Sequence, residues 1–202
     1  MTFKGFLTHT GQTYQAKSPE EIRFHHESAG KQLLRLKHQY ENRYPEIILS
    51  TGDTPSCSLF SPVPGIGEIR PGNFVFYDLM QFITGSCRLE DIAVAALCPV
   101  VSLHYERNEA VIYGGAVHLS KEYCMAAEKQ VYGLALRFNG ESWDYSSPLG
   151  YLTTLSQEHG ILSLNAGILL RPGEQIAILP VHSCLMAHEL KQDRLIFESR
   201  NP

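Results

Sequence analysis

Ser18-Pro19-Glu20-Glu21 opens a helix between two short apolar runs, and that placement decides the first part of the fold. Ser18 stands where a cap side chain accepts a free backbone N–H, Pro19 takes the first helical position, and Glu21 completes a capping box. Ile22, Ala29, Leu33, Leu36 and Tyr40 recur at helical spacing behind a charged outer face, and Tyr44-Pro45 stops the run. Before it, residues 3–9 (Phe-Lys-Gly-Phe-Leu-Thr-His) read as a strand. After it, residues 46–51 (Glu-Ile-Ile-Leu-Ser-Thr) read as another, running into Gly52-Asp-Thr-Pro55. Strand, helix, strand is the unit of a parallel sheet with a crossover helix. One such unit cannot cover both faces of a parallel sheet, so it is expected to be the tail of a larger α/β structure.

Working outward, Ser61-Pro-Val-Pro-Gly-Ile-Gly67 is a Pro/Gly-rich connection, and the chain changes character beyond it. Short β-type runs follow at 74–78, 99–105, 110–113, 131–138, 161–164 and 175–179. Arg107-Asn-Glu109 forms a hairpin turn between two of them, and Arg171-Pro-Gly-Glu174 a turn before the last. Evenly spaced strands without long helices predict an antiparallel barrel or sandwich. The predicted fold class is therefore α+β. Residues 1–60 are a βαβ piece of a larger α/β structure, and residues 61–202 a mostly antiparallel β-domain.

The bulk properties narrow the function. The chain has 202 residues, 44% hydrophobic and 19% charged, with a net charge of -4. A nucleic-acid binder would carry a basic face instead. No run approaches the roughly 18 apolar residues that cross a bilayer, and Met1-Thr-Phe-Lys-Gly-Phe lacks the marks of a signal peptide. Five cysteines (57, 87, 98, 124 and 184) without framework spacing read as reduced thiols of a cytoplasmic protein.

The strongest local signal is Pro180-Val-His182-Ser-Cys184, at the end of an expected strand. Residues two apart on a strand point to one side, so His182 and Cys184 are expected to reach one ion together. Imidazole with thiolate suits zinc, and two protein ligands leave positions open for substrate or water. A buried cysteine beside a hydrogen-bonded histidine is the bland alternative. Glu158-His159-Gly160 places a carboxylate beside an imidazole, which either supports a metal ligand or forms a polar turn. Gly52-Asp53-Thr54 follows a strand and offers turn N–H groups and a hydroxyl to a phosphate. His9-Thr-Gly-Gln-Thr-Tyr14 leaves the neighbouring strand, and in a parallel barrel both exits open on the face where active sites are built. Lys121 reads as a surface residue at a turn rather than a Schiff-base lysine. His25, His26, His38, His104 and His188 read as structural.

In order, His9-Thr-Gly-Gln-Thr-Tyr14, Thr51-Gly-Asp-Thr-Pro55, Glu68-Ile-Arg-Pro-Gly-Asn-Phe-Val-Phe-Tyr-Asp78, Tyr113-Gly-Gly-Ala-Val-His-Leu-Ser-Lys121, Ser156-Gln-Glu-His-Gly160 and Pro180-Val-His-Ser-Cys184 span nearly the whole chain. The series resembles the D-serine dehydratase and D-threonine aldolase branch of the alanine-racemase-like, fold-type III pyridoxal-phosphate enzymes. That resemblance implies an N-terminal cofactor-binding TIM barrel, of which residues 1–60 are the C-terminal βαβ remnant, a C-terminal β-domain and a homodimer. It implies that Gly52, Asp53 and Thr54 help hold the phosphate of pyridoxal 5'-phosphate, with His9 and Tyr14 near its ring. It implies zinc or another divalent metal on His182 and Cys184, engaging the β-hydroxyl of a D-amino acid substrate.

The family's Schiff-base lysine lies on the first barrel strand, and no lysine here stands in that context. The expectation is a C-terminal portion of a lyase, inactive unless a separate N-terminal barrel chain completes it. A non-enzymatic metal-binding or dimerisation remnant, and a racemase-like enzyme without the metal, are the competing expectations.

Overall fold

The structure is a computed structural model, and it describes residues 2–126 and 128–191. Its elements run β1 (Gly5–His9), α1 (Pro19–Tyr40), β2 (Ile48–Gly52), α2 (Thr54–Leu59), β3 (Glu68–Ile69), α3 (Leu79–Ile83), β4 (Ala96–His104), β5 (Glu109–Tyr113) and α4 (Ala116–Leu119). They continue as β6 (Cys124–Ala126), β7 (Lys129–Val131), β8 (Gly133–Phe138), β9 (Trp143–Asp144), β10 (Gly150–Leu155), β11 (His159–Leu164), β12 (Gln175–Pro180) and α5 (Ser183–Glu189). Two compact units result. One comprises the described residues up to Val75 together with Gln81–Arg88, the other Phe76–Met80 together with the described residues from Leu89 onward. β3 goes with the first unit, although it lies beyond the Pro/Gly stretch, because it pairs with β2.

In the first unit β1, β2 and β3 form a parallel sheet in that order. α1 is the crossover between β1 and β2, as its sequence predicts. Ser18 accepts the N–H of Glu21 at 3.3 Å, while the Glu21 carboxylate accepts the N–H of Lys17 at 2.8 Å, one residue before the cap. The helix ends at Tyr40 rather than at Pro45. Its buried face carries Ile22, His26, Gly30 and Leu33, and Leu33 packs with Ile47 and Leu49 in a small core. His26, half-hidden among sequence signals, bonds the Ser61 carbonyl at 3.1 Å and so serves the fold.

The second unit is a closed antiparallel barrel. The strand order β10-β11-β5-β4-β12-β8 is completed by a β10–β8 pairing, with β9 added outside β8. Closure removes the free strand edges that an open sheet would present. Of the two architectures read from the sequence, the barrel is the one formed. Side chains alternate inward along β11, where Gly160, Leu162 and Leu164 are buried and their neighbours are not. Leu162 meets Ile112, Leu152, Ile176 and Ile178 in the main core, all fully buried. A fully buried side chain of that size stabilises the fold by about 1.5–3 kcal/mol over its exposed state.

The expected strand at 74–78 is not formed. Asn73–Val75 is a 3-10 turn, and Tyr77 is left-handed at φ 49°. Pro71 removes a ladder donor just after the β2–β3 pairing ends, and Phe74 and Val75 are exposed with no strand beside them. The expected hairpin at residues 107–109 is present. Asn108 turns it in the left-handed region at φ 53°, which asparagine tolerates.

Candidate functional site

Two clusters contain the residues singled out by sequence, one in each unit, and each is built by local capping and turn chemistry.

In the first unit the exits of β1 and β2 converge. These strands pair in register with His9 opposite Gly52. The His9 ring nitrogen Nδ1 lies 2.7 Å from the Gly52 carbonyl oxygen. A carbonyl only accepts, so Nδ1 donates in this bond. Tyr14 stands beside His9 with ring centroids 5.9 Å apart. Its hydroxyl oxygen accepts the N–H of Thr54 at 3.1 Å. Asp53 caps α2: Oδ1 accepts from the Ser56 N–H and from the Thr13 hydroxyl, both at 2.8 Å, while Oδ2 accepts from the Ser56 hydroxyl. Thr54 Oγ1 in turn accepts the N–H groups of Gly72 and Asn73, each at 3.1 Å. Gly52 is required by close approach, since a Cβ there would lie 2.4 Å from the Arg70 carbonyl oxygen.

His9, Tyr14, Gly52, Asp53 and Thr54 are thus brought together, but not as equals. Asp53 and Thr54 are buried at 1% and 0% exposure, and their side chains bond Ser56 and Thr13, and Gly72 and Asn73, respectively. They form the frame on which the more open Tyr14 and His9 stand. Sequence reading missed a second brace: Arg70 donates through Nε to Ser50 Oγ and through a terminal nitrogen to the Thr8 carbonyl, both at 2.7 Å. Arginine between two parallel strand ends left no periodic signal to find.

In the second unit β12 ends at Pro180, and His182-Ser-Cys184 is not strand. His182 is the N-cap of α5, with an extended backbone (φ −131°, ψ 100°), and Cys184 is its second helical residue. The strand-period argument for a shared side therefore fails. What remains is the helix start itself, which sets His182 and Cys184 on either side of Ser183. His182 is half-buried and Cys184 is exposed. Neither side chain is engaged in a hydrogen bond among the described residues. Ser183 between them is fully buried and held: the buried Asp78 carboxylate accepts its N–H at 3.1 Å and its hydroxyl at 3.4 Å.

Among the described residues no group of three His, Cys, Asp or Glu side chains gathers as a metal cluster. The donor chemistry of His182 and Cys184 nevertheless suits a borderline-soft ion such as zinc, with positions left open. α5 packs through Met186 into the core that also holds Leu119 of α4. At the start of α4, the N–H groups of Ala116 and Val117 bond the carbonyls of Ser156 and Gln157. Glu158 is exposed on that turn. His159 opens β11 and meets the edge of Tyr113 at 5.5 Å, with His118 on the same ring at 5.1 Å. Lys121 is exposed after α4, as expected.

Burial also orders the thiols. Desolvation pushes Cys98 up to about 12, and desolvation with the Asp78 charge pushes Cys124 up to about 12. Cys57 is raised by desolvation as well.

The arrangement has known counterparts. An alanine-racemase-like protein from Idiomarina loihiensis superposes with a TM-score of 0.80 over 93% of this chain and 51% of that one, at 24% identity, and so shares the fold. Residues 93–193, half of the chain, match the family model of the "Putative serine dehydratase domain". The chain belongs to that D-serine dehydratase-like family. The D-serine dehydratase of Dictyostelium discoideum is 32% identical, over 99% of this chain and 54% of that protein. The D-threo-3-hydroxyaspartate dehydratase of Delftia sp. (strain HT23) is 31% identical, over 91% and 50%. Its structure superposes with a TM-score of 0.81 over 94% of this chain and 52% of that one. That enzyme is also known as a cysteine-to-alanine variant in a metal-free form and as a histidine-to-alanine variant, the altered positions lying two residues apart. The chain spans about half the length of the curated relatives it matches.

Proposed function

We propose that this chain is the metal-binding part of a pyridoxal-phosphate- and divalent-metal-dependent lyase acting on β-hydroxy D-amino acids. The observation that carries the reading is the start of α5: His182 and Cys184 offer an imidazole and a thiol to one ion, while Ser183 between them is locked into the fold. The His-x-Cys spacing is that of the two altered positions in the Delftia enzyme, whose cysteine variant is described in a metal-free form.

His182 would bind through a neutral ring nitrogen and Cys184 as thiolate, so binding the ion releases a proton from the thiol. His9 and Tyr14 would face the cofactor, and Gly52, Asp53 and Thr54 would keep that strand exit rigid. None of these five residues is an amine, so the covalent anchor of the cofactor lies outside the cluster. When bound, the cofactor supplies an electron sink at the substrate Cα and the metal a Lewis acid for the β-hydroxyl. The cysteine in the pair favours elimination over aldol cleavage. Glu158 and His159 are assigned a supporting part at the same end of the barrel, and the complete enzyme is a homodimer or a pairing with a separate barrel chain.

Zinc content of the purified chain, measured by mass spectrometry alongside D-serine binding by calorimetry, tests the proposal. One zinc per chain, lost in both His182→Ala and Cys184→Ala, with zinc-dependent binding of D-serine but not L-serine, is the expected result. A folded chain that retains no zinc overturns the metal assignment. Equal binding of the two serine enantiomers overturns the substrate assignment.

A further inference from the structure

Asp78 lies more than a hundred residues before α5, yet its carboxylate is bonded to the residue between the two proposed ligands. It is 2% exposed, too buried to meet a substrate. The usual device at a helix start is a Ser, Thr, Asp or Asn side chain at the N-cap, which satisfies the first free N–H groups. Here the N-cap is His182, and its ring makes no such bond. Asp78 does that work from outside, accepting the first helical N–H, that of Ser183. The histidine at the cap is therefore released from capping. Immediately before Asp78, Tyr77 is held left-handed at φ 49°, a conformation that is unfavourable for a bulky L-residue. That cost is sustained where the chain turns to deliver the carboxylate.

We propose that Asp78 is the positioning residue of the metal pair: by holding Ser183 it fixes the turn that presents His182 and Cys184 together. This rests on the assignment of metal to those two side chains. Its bonds to this turn go to the N–H and the hydroxyl of Ser183, so it acts on the pair through the residue between them. Groups that orient metal ligands in this way affect affinity by about 10–100-fold when lost.

Three variants of the full chain test this: Asp78→Ala, Ser183→Pro and the double variant. Ser183→Pro removes both bonds from Ser183 to Asp78. Proline is welcome at the first helical position, and the extended backbone of His182 accepts a following proline. Zinc affinity is measured by competition with a chromophoric chelator, and the ligand field is read from the absorption of the cobalt(II)-loaded protein, including its thiolate charge-transfer band. Near-UV circular dichroism confirms that the barrel is intact in each sample.

The expected result is about a 10–100-fold loss of zinc affinity in Ser183→Pro, a shifted or weakened charge-transfer band, and no further loss in the double variant. Should Asp78→Ala fail to fold, Ser183→Pro alone decides. Wild-type zinc affinity and spectrum in a folded variant overturn the positioning role, while loss of zinc in His182→Ala and Cys184→Ala leaves the metal assignment standing. Absence of zinc from the wild-type chain overturns both.

Discussion

The Tyr14 hydroxyl oxygen accepts the backbone N–H of Thr54, 40 residues away, at 3.1 Å. Thr54 is fully buried, so this bond satisfies a donor that water cannot reach. Tyr14→Phe keeps the ring and deletes the acceptor. It is expected to destabilise the first unit by about 1–3 kcal/mol. Urea unfolding followed by circular dichroism measures this, and an unchanged midpoint would show that Thr54 finds another partner.

The thiols differ in exposure, and their labelling should follow. At pH 8 iodoacetamide is expected to modify the exposed Cys184 first and the half-buried Cys57 and Cys87 later, while Cys98 and Cys124 stay unmodified in the folded chain. Zinc should slow only the Cys184 reaction. Peptide mass spectrometry reads each site, and fast labelling of Cys184 at saturating zinc would contradict its role as ligand.

Cys98 makes stability sensitive to alkali. Its folded thiol is pushed from an ordinary value near 9 up to about 12 by burial. A raised folded value favours the protonated form, so its contribution is fully present below pH 9 and lost as pH rises towards 12. In that window the unfolded chain has released the proton and the folded chain has not. Stability should fall by about 1.4 kcal/mol per pH unit from this group. Denaturation midpoints between pH 8.5 and 10.5 check it, and the slope should flatten in Cys98→Ala.

Leu152 is fully buried at the strand where the ring closes. Leu152→Ala is expected to cost about 2–5 kcal/mol through lost burial and the cavity left behind. Thermal unfolding will show whether that loss falls on the second unit alone. A shift well under 1 kcal/mol would mean that the site collapses without penalty.

Much of this was legible in the residues, for identifiable reasons. Ser18 and Pro19 announce α1 because capping depends on neighbours in sequence. The convergence of His9 and Gly52 follows from two parallel strands in register. Phe74–Asp78 misled because its β-type composition says nothing about whether a partner strand is present. His182 and Cys184 were singled out by a strand argument that the fold does not use, since α5 begins where a strand was expected to continue. Asp78 and Arg70 were invisible as braces, because each acts on residues brought near only by tertiary structure. Nor could the sequence show the bonds of the Gly52-Asp53-Thr54 turn: the Asp53 carboxylate is engaged by Thr13 and Ser56, and the Thr54 hydroxyl by Gly72 and Asn73.

β12 lies between β4 and β8 in the ring, with Ile176 opposite Cys98 on one side and Arg137 on the other. It is also the last strand among the described residues. During synthesis, β4 and β8 therefore leave the ribosome long before the strand that joins them exists. The ring cannot assemble progressively from its first-made end, and its folding must wait until residues beyond Pro180 are clear of the exit tunnel. A chain released short of Gln175 would present two unpaired edges instead of none, which makes the interval before β12 emerges the period of greatest risk of association with other nascent chains.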